Sequence, residues 1–247
     1  GEETVKILIR DVTLPYGRTT ALDRLDLHVP EGSVYALLGR NGSGKSSLVK
    51  ALLGHRKPDG GVLEIDGLDP WKARHRLMGR IAATPETPDA PPAMKVDALG
   101  RFVSSFHRNW DAAGFRARLD RFGIPTHQRF GELSRGQKGL VILSLALAQK
   151  PALLLLDDPT LGLDPVARRF VFDELIGELA DRGTTVLLTT HDLEGIERIA
   201  THIGILSKGK LLVEGELEDL RRTAVARGAA APTLESLFFH FAGTEGH

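Results

Sequence analysis

The chain has 247 residues, 42% hydrophobic and 26% charged, with 32 basic residues balanced by 32 acidic ones. That length and apolar content suit a soluble globular protein with a sizeable core, and the neutral total supplies no electrostatic case for a nucleic-acid partner. The absence of cysteine removes disulfides, thiolate metal sites and cysteine nucleophiles, and is compatible with a cytosol.

The N-terminal "GEETVKILIR" lacks the charged-then-apolar layout of a signal peptide. No apolar run approaches the roughly 18 residues of a spanning helix. "LVILSLALA" reads as a core helix, so work at a membrane requires another chain to supply the membrane part. "TVKILIR" and "LDLHV" alternate, "SVYALLG" is apolar, and "DGGVLEIDG" sets glycine turns around a short strand. The first third therefore reads as strands.

"GRNGSGKSS", residues 39–47, fits G-x-x-x-x-G-K-[ST] between the strand "VYALL" and the helical "SLVKALLG", the context this motif requires. A polyphosphate needs backbone N–H groups turned inward, so glycines stand where side chains would block the approach. Gly39, Asn41, Gly42, Ser43 and Gly44 supply that loop, and the helix that follows adds its positive end. Lys45 is placed to reach the β- and γ-phosphates, the Ser46 hydroxyl to ligate Mg²⁺, and Ser47 ends the motif. The bland alternative is an ordinary glycine-rich strand-to-helix turn.

From about residue 90 to 150 the texture changes. "PDAPPAMKV" is a proline-rich entry to helix-like segments, with breaks expected at Gly114, Gly123 and Pro125. This reads as a helical subdomain inserted into the sheet domain. Within it "LSRGQ", residues 133–137, opens an apolar helix, and Ser134 with Gln137 has the spacing of a capping box. The same free N–H groups can serve as an anion site, and local physics does not choose between the two readings.

"ALLLLD" is a strand buried on both faces, as in a parallel sheet, and ends in Asp157 and Asp158. Acids at the C-terminal end of a core strand lie where open α/β sheets bind ligands. Successive residues point to opposite sides, so one acid can face a metal and the other an attacking water; solvated loop acids are the alternative. Asp164 and Pro165 form a helix start. The helix over 166–182 is expected to gather Phe170, Leu175, Ile176 and Leu179 on one side and to stop at Gly183. "TTVLLTT" is the next buried strand and delivers His191, which either binds a γ-phosphate and orients water or is structural. A hairpin turning at Lys208-Gly209 follows, then an Ala-rich stretch and the tail "TLESLFFHFAG". There is no internal repeat.

Taken in order, Tyr16, "GRNGSGKSS", Glu86, "LSRGQ", "LLLLDD", "LGLD" and His191 strongly resemble the ATP-binding cassette (ABC) ATPases over about residues 5–220. The resemblance implies an α/β fold: a P-loop NTPase core with a parallel sheet, an N-terminal antiparallel β region and an inserted helical subdomain. It implies an ABC ATPase domain over 1–220, with the subdomain at about 90–150, and a C-terminal extension over 221–247. ATP and Mg²⁺ are the implied cofactors. Tyr16 matches the aromatic that stacks on adenine, Asp157 the aspartate that holds Mg²⁺ through water, and His191 the switch histidine. Asp164, in "LGLD", matches a loop that communicates across a head-to-tail dimer. In that dimer Ser134 and Gly136, flanked by Arg135 and Gln137, hold the γ-phosphate of ATP bound to the other copy.

Three positions depart from the family pattern. Arg135 stands where the first of two glycines is usual, Glu86 where glutamine is usual, and Asp158 where the catalytic base is usually glutamate. Lys45, Asp158 and His191 are the expected catalytic residues, and Ser46, Asp157 and Glu86 the expected metal site. "NWD" at 109–111, the short helical insert and the tail look like bacterial exporter ATPases of the drug and polysaccharide type. The leading expectation is the ATP-hydrolysing subunit of a membrane transporter, paired with a second cassette and with multi-spanning membrane subunits. It would lie in the cytoplasm, peripheral at the inner face of the membrane, with no direct nucleic-acid contact. The competing readings are a soluble cassette acting on nucleic acid, ribosomes or a protein, and an ATP-binding switch with degenerate catalysis. The tail's Leu237, Phe238, Phe239 and Phe241 are expected to pack either on the cassette or on a second copy.

Overall fold

The computed structural model describes residues 5–17, 19–226 and 233–242. The chain opens with β1 (Val5–Tyr16) and β2 (Thr19–Pro30), an antiparallel hairpin whose tight end pairs Tyr16 with Thr19. Buried residues on β1 switch parity, from Ile7 and Ile9 to Val12 and Leu14. The register slips between Ile9 and Val12, where Asp11 has φ +51° and its N–H donates to Asp26 Oδ1 at 2.9 Å. That bulge keeps both halves of a long strand facing one core. β3 (Val34–Leu38) leads through the glycine-rich loop into α1 (Lys45–Leu52), and β4 (Gly60–Ile65) then closes a three-stranded sheet of order β2-β1-β4.

A short α2 (Arg74–Leu77) precedes β5 (Ile81–Thr84). Three helices follow: α3 (Val96–Ser104), α4 (Ala112–Arg121) and α5 (Arg135–Ala148). Next come β6 (Leu153–Asp157), α6 (Pro165–Arg182), β7 (Thr185–Thr190), β8 (His202–Ser207) and β9 (Lys210–Glu216). The last described elements are α7 (Leu217–Ala226) and α8 (Leu234–Ala242).

The main sheet runs β5-β6-β7-β3-β8-β9, parallel except for the β8–β9 hairpin. That hairpin turns at Lys208-Gly209, as the sequence predicts. β3, β6 and β7 are buried at every position, because each strand packs on two sides. Val34, Ala36, Leu154 and Leu156 face one core with α5 and α6, while Tyr35, Leu37, Leu153 and Leu155 face a second with α1 and the small sheet. Burying one such Leu contributes about 1.5–3 kcal/mol, so these strands hold the phosphate loop and the carboxylates in fixed register. The α/β architecture expected from the sequence is the one observed.

Two local expectations are corrected. Gly114 does not break a helix: it lies in the first turn of α4, where its N–H donates to the cap Asp111 Oδ1 at 2.9 Å. A Cβ there would stand 2.1 Å from Asp111 Oδ2, so glycine permits a close cap. On α6 Ile176 faces outward at 40% exposure, and the buried set is Val171, Phe172, Leu175 and Glu178. The acid is there because Arg118 of α4 reaches across: Nε donates to Glu174 at 2.8 Å and Nη2 to Glu178 at 3.2 Å. Burial pushes the Glu178 carboxyl up, against the opposing pull of Arg182 and Arg118. This ion cluster ties the inserted helices to the core. Asp164 caps α6 through Ala167 N–H at 2.8 Å, and Gly183 ends it at φ +63°.

The expected break after residue 220 falls inside α7. Leu217, Ala224, Leu234 and Leu237 are buried in the main core and Phe238 packs against it, so this part of the tail folds on its own chain. The side chains of Phe239 and Phe241 lie outside the described residues.

Candidate active site

The strand order brings three chain segments to one edge of the sheet. β3, β7 and β6 are neighbours, with Leu37 level with Thr189 and Thr189 level with Asp157. The C-terminal ends of all three therefore open on the same rim, where α/β sheets place ligands. A cleft of about 620 Å³ lies there, lined by Tyr16, Asn41, Gly42, Gly44 to Ser47, Glu86, Asp157 and Asp158.

The loop between β3 and α1 is held tightly. Gly39 N–H donates to Thr190 O at 3.2 Å and Gly209 N–H to Ser43 O at 2.9 Å. Gly44 sits at φ +113° with the place of a Cβ only 2.4 Å from Ala21 O, which no other residue tolerates. Ser43 Oγ is buried and has no hydrogen-bond partner. Lys45 is 8% exposed, and its ammonium donates to the carbonyls of Gly39 at 2.6 Å and Arg40 at 3.1 Å. Among the described residues no carboxylate forms an ion pair with it. Burial lowers its pKa, against the fields of Asp158, Asp157 and Glu86. A buried cation without a paired acid, next to an orphaned hydroxyl, at the start of an eight-residue helix, is a site built for an anion.

Asp157 ends β6 at 7% exposure, and one of its oxygens is occupied, accepting from Thr189 Oγ1 at 2.6 Å. Asp158 is different. Its N–H continues the ladder to Thr189 O at 2.9 Å, and its φ of +50° turns the side chain off the strand line. Thr190 Oγ1 lies 3.3 Å from its Oδ1, and His191 Nδ1 lies 2.5 Å from its Oδ2. A carboxylate only accepts, so in this contact the ring donates from Nδ1 and Nε2 is left for another partner. His191 is half-exposed beside the cleft and does not line it. The loop after it is held from α6, where Arg168 pairs with Asp192 at 2.8 Å and Glu194 at 2.6 Å.

No trio of acid or histidine ligands able to cage a metal occurs among the described residues. Ser46 and the open oxygen of Asp157 fit a Mg²⁺ whose other ligands are phosphate oxygens and water, the usual arrangement for this ion. Glu86 is exposed on the rim and acts on Lys45 through its charge.

The residues of "LSRGQ" lie elsewhere. Ser134 Oγ accepts from Gln137 N–H at 3.1 Å and Gln137 Oε1 from Ser134 N–H at 3.0 Å. Both halves of the capping box exist at the exposed start of α5. Gly136 is close to Gly162 O, and the stem of Arg135 passes over Gly162. None of these four residues lines the cleft of its own chain.

Sequence reasoning missed Thr19, Thr20, Ala21, Lys50 and Lys208, which complete the cleft wall. They come from the β1–β2 hairpin, α1 and the β8–β9 turn. Lys208 follows from the position of its turn, and only the folded register shows that this turn meets the phosphate loop.

A glycine-rich anion loop between strand and helix, with carboxylates ending a nearby parallel strand, defines a P-loop nucleotide-binding protein. The chain belongs to the ABC transporter family, whose profile matches residues 22–161. It is similar to the Nod factor export ATP-binding protein I of Mesorhizobium japonicum, 36% identical over 222 residues, covering 86% of this chain and 64% of that protein. It is 30% identical over 214 residues to the bacitracin transport ATP-binding protein BcrA of Enterococcus faecalis, covering 86% of this chain and 70% of that protein. These relatives are therefore appreciably longer than the part of them that this chain spans. Among solved structures it resembles one described as the ATP binding subunit of an ABC transporter, with TM-score 0.84 and 27% identity over 96% of this chain and 99% of that one. The exporter-type resemblance and the ABC ATPase fold expected from the sequence agree with these relatives.

Proposed function

We propose that this chain is the ATP-hydrolysing subunit of an ABC exporter and works as a nucleotide-sandwich dimer with membrane-spanning partner subunits. The observation that carries the reading is the shared rim, where Lys45 after β3 and Asp157 and Asp158 at the end of β6 line one cleft, and His191 after β7 is held beside it by its contact with Asp158. The export and antibiotic-transport names of the relatives support the transport role.

In this reading the loop amides and Lys45 hold the ATP phosphates, and Tyr16 stacks on the adenine. Ser46 and Asp157, with Glu86 on the rim, hold Mg²⁺, which when bound neutralises charge on the phosphates. Asp158 and His191 orient the attacking water, and the Asp158 carboxylate accepts its proton. The water oxygen bonds to the γ-phosphorus, the bond to the β–γ bridging oxygen breaks, and ADP and phosphate leave. Ser134, Arg135, Gly136 and Gln137 of a second copy close over the γ-phosphate. Asp158 is shorter than glutamate by one C–C bond, about 1.5 Å, and a misplacement near 1 Å costs about 10²-fold in rate. Hydrolysis is therefore slow.

No helix among the described residues is long and apolar enough to cross a membrane. The reading puts the chain at the inner membrane face through membrane-spanning partners, in line with the transport names of the relatives. Affinity purification of the full chain from native membranes tests this. A co-purifying multi-spanning protein is the expected outcome. Recovery of only ribosomal or DNA-associated proteins overturns the transport role in favour of a soluble cassette.

A further inference from the structure

The exposed ring of Tyr16 already has one face occupied. The Arg56 guanidinium lies over it at 4.7 Å from the ring centroid, and Arg56 Nη1 donates to Pro15 O at 3.1 Å. Arg56 thus grips both the ring and the backbone immediately before it. Tyr16 lines the cleft and Arg56 does not, and the ring stays 55% exposed with the guanidinium in place. Among the described residues Arg56 has no carboxylate in ion-pair contact, so Tyr16 and the Pro15 carbonyl are its polar and π partners.

We propose that Arg56 is a positioning residue for nucleobase recognition, which holds the Tyr16 ring upright and completes a guanidinium–tyrosine–purine stack when a nucleotide enters. This rests on the nucleotide reading of the cleft and deepens it. Two physical effects support it. Tyr16 stands at the tip of a hairpin next to Gly17 at φ +62° and is 55% exposed. A ring in such a place otherwise loses rotamer freedom when a base stacks on it, and Arg56 meets that loss before binding. The cation also sits over the ring face, where attraction to the quadrupole is strongest. Lysine, lacking a planar face, stacks less well than arginine.

The test is calorimetric titration of the full chain with Mg·ATP and with Mg·tripolyphosphate, which carries the phosphates and no base. Wild type, Arg56→Ala, Arg56→Lys and Tyr16→Ala are compared. The inference predicts that Arg56→Ala weakens ATP by about 2- to 5-fold, the worth of an exposed cation–π contact, and leaves tripolyphosphate unchanged. Arg56→Lys falls between. Equal losses for both ligands would mark a merely structural role and overturn the proposal. Unchanged or tighter ATP binding in Arg56→Ala overturns it too, since the guanidinium would then be irrelevant or obstructive. If Tyr16→Ala also leaves ATP unaffected, base stacking itself fails. If Tyr16→Ala weakens ATP while Arg56→Ala does not, only the role of Arg56 falls.

Discussion

His191 Nδ1 and Asp158 Oδ2 lie 2.5 Å apart, joining the ends of β7 and β6 through side chains rather than the sheet ladder. The contact orients the imidazole ring through Nδ1 and leaves Nε2 for another partner. It also holds the short carboxylate of Asp158 at the rim, with Thr190 behind it. His191→Ala is expected to lower the ATPase kcat by about 10²-fold or more, the usual scale of a positioned acid–base group, while the Kd for Mg·ATP stays at the wild-type value. A matching loss in Kd would place His191 in nucleotide binding instead.

The start of α5 supports a second prediction. Ser134→Ala removes a helix cap and costs about 0.5–2 kcal/mol of stability. In a purely structural role that is the whole effect. In the sandwich reading the variant still binds ATP on its own loop but loses turnover and ATP-dependent dimerisation. Light scattering with and without Mg·ATP separates the two, and a variant that dimerises and turns over normally removes Ser134 from the shared site.

Lys45 makes binding depend on pH in a definite direction. Burial holds its pKa below the ordinary lysine value, and phosphates beside it raise that value by stabilising the ammonium. The bound state therefore holds more protons than the free state at alkaline pH. Affinity for Mg·ATP is expected to fall as pH rises through the lowered free-state pKa. Calorimetry in buffers of different ionisation enthalpy should show proton uptake on binding in that range. Proton release would contradict the assignment, and Lys45→Met should abolish the uptake.

Much of this site is legible in the residues because its parts are local. The phosphate loop, the capping box at Ser134 and Gln137, the cap at Asp164 and the stop at Gly183 each depend on neighbours within a few positions. The four-residue β5, "IAAT", was not distinguishable because a strand that short shows no periodicity. Helical spacing alone points Ile176 inward, and the structure turns it out. Arg118, 58 positions before it, draws Glu178 into the interface instead, and no local pattern reveals that partner. The cleft wall has the same cause. Lys50 and Lys208 join that wall, and Arg56 reaches Tyr16 beside it, only after the sheet register forms.

The central claim is that an aspartate at position 158 keeps hydrolysis present but slow. Steady-state release of phosphate from Mg·ATP by wild type, Asp158→Glu and Asp158→Asn tests it most directly. Lengthening the carboxylate by about 1.5 Å should raise kcat at least several-fold, within the about 10²-fold available from correcting a misplacement near 1 Å, and the amide should abolish turnover. A glutamate variant that hydrolyses ATP no faster than wild type would contradict the account.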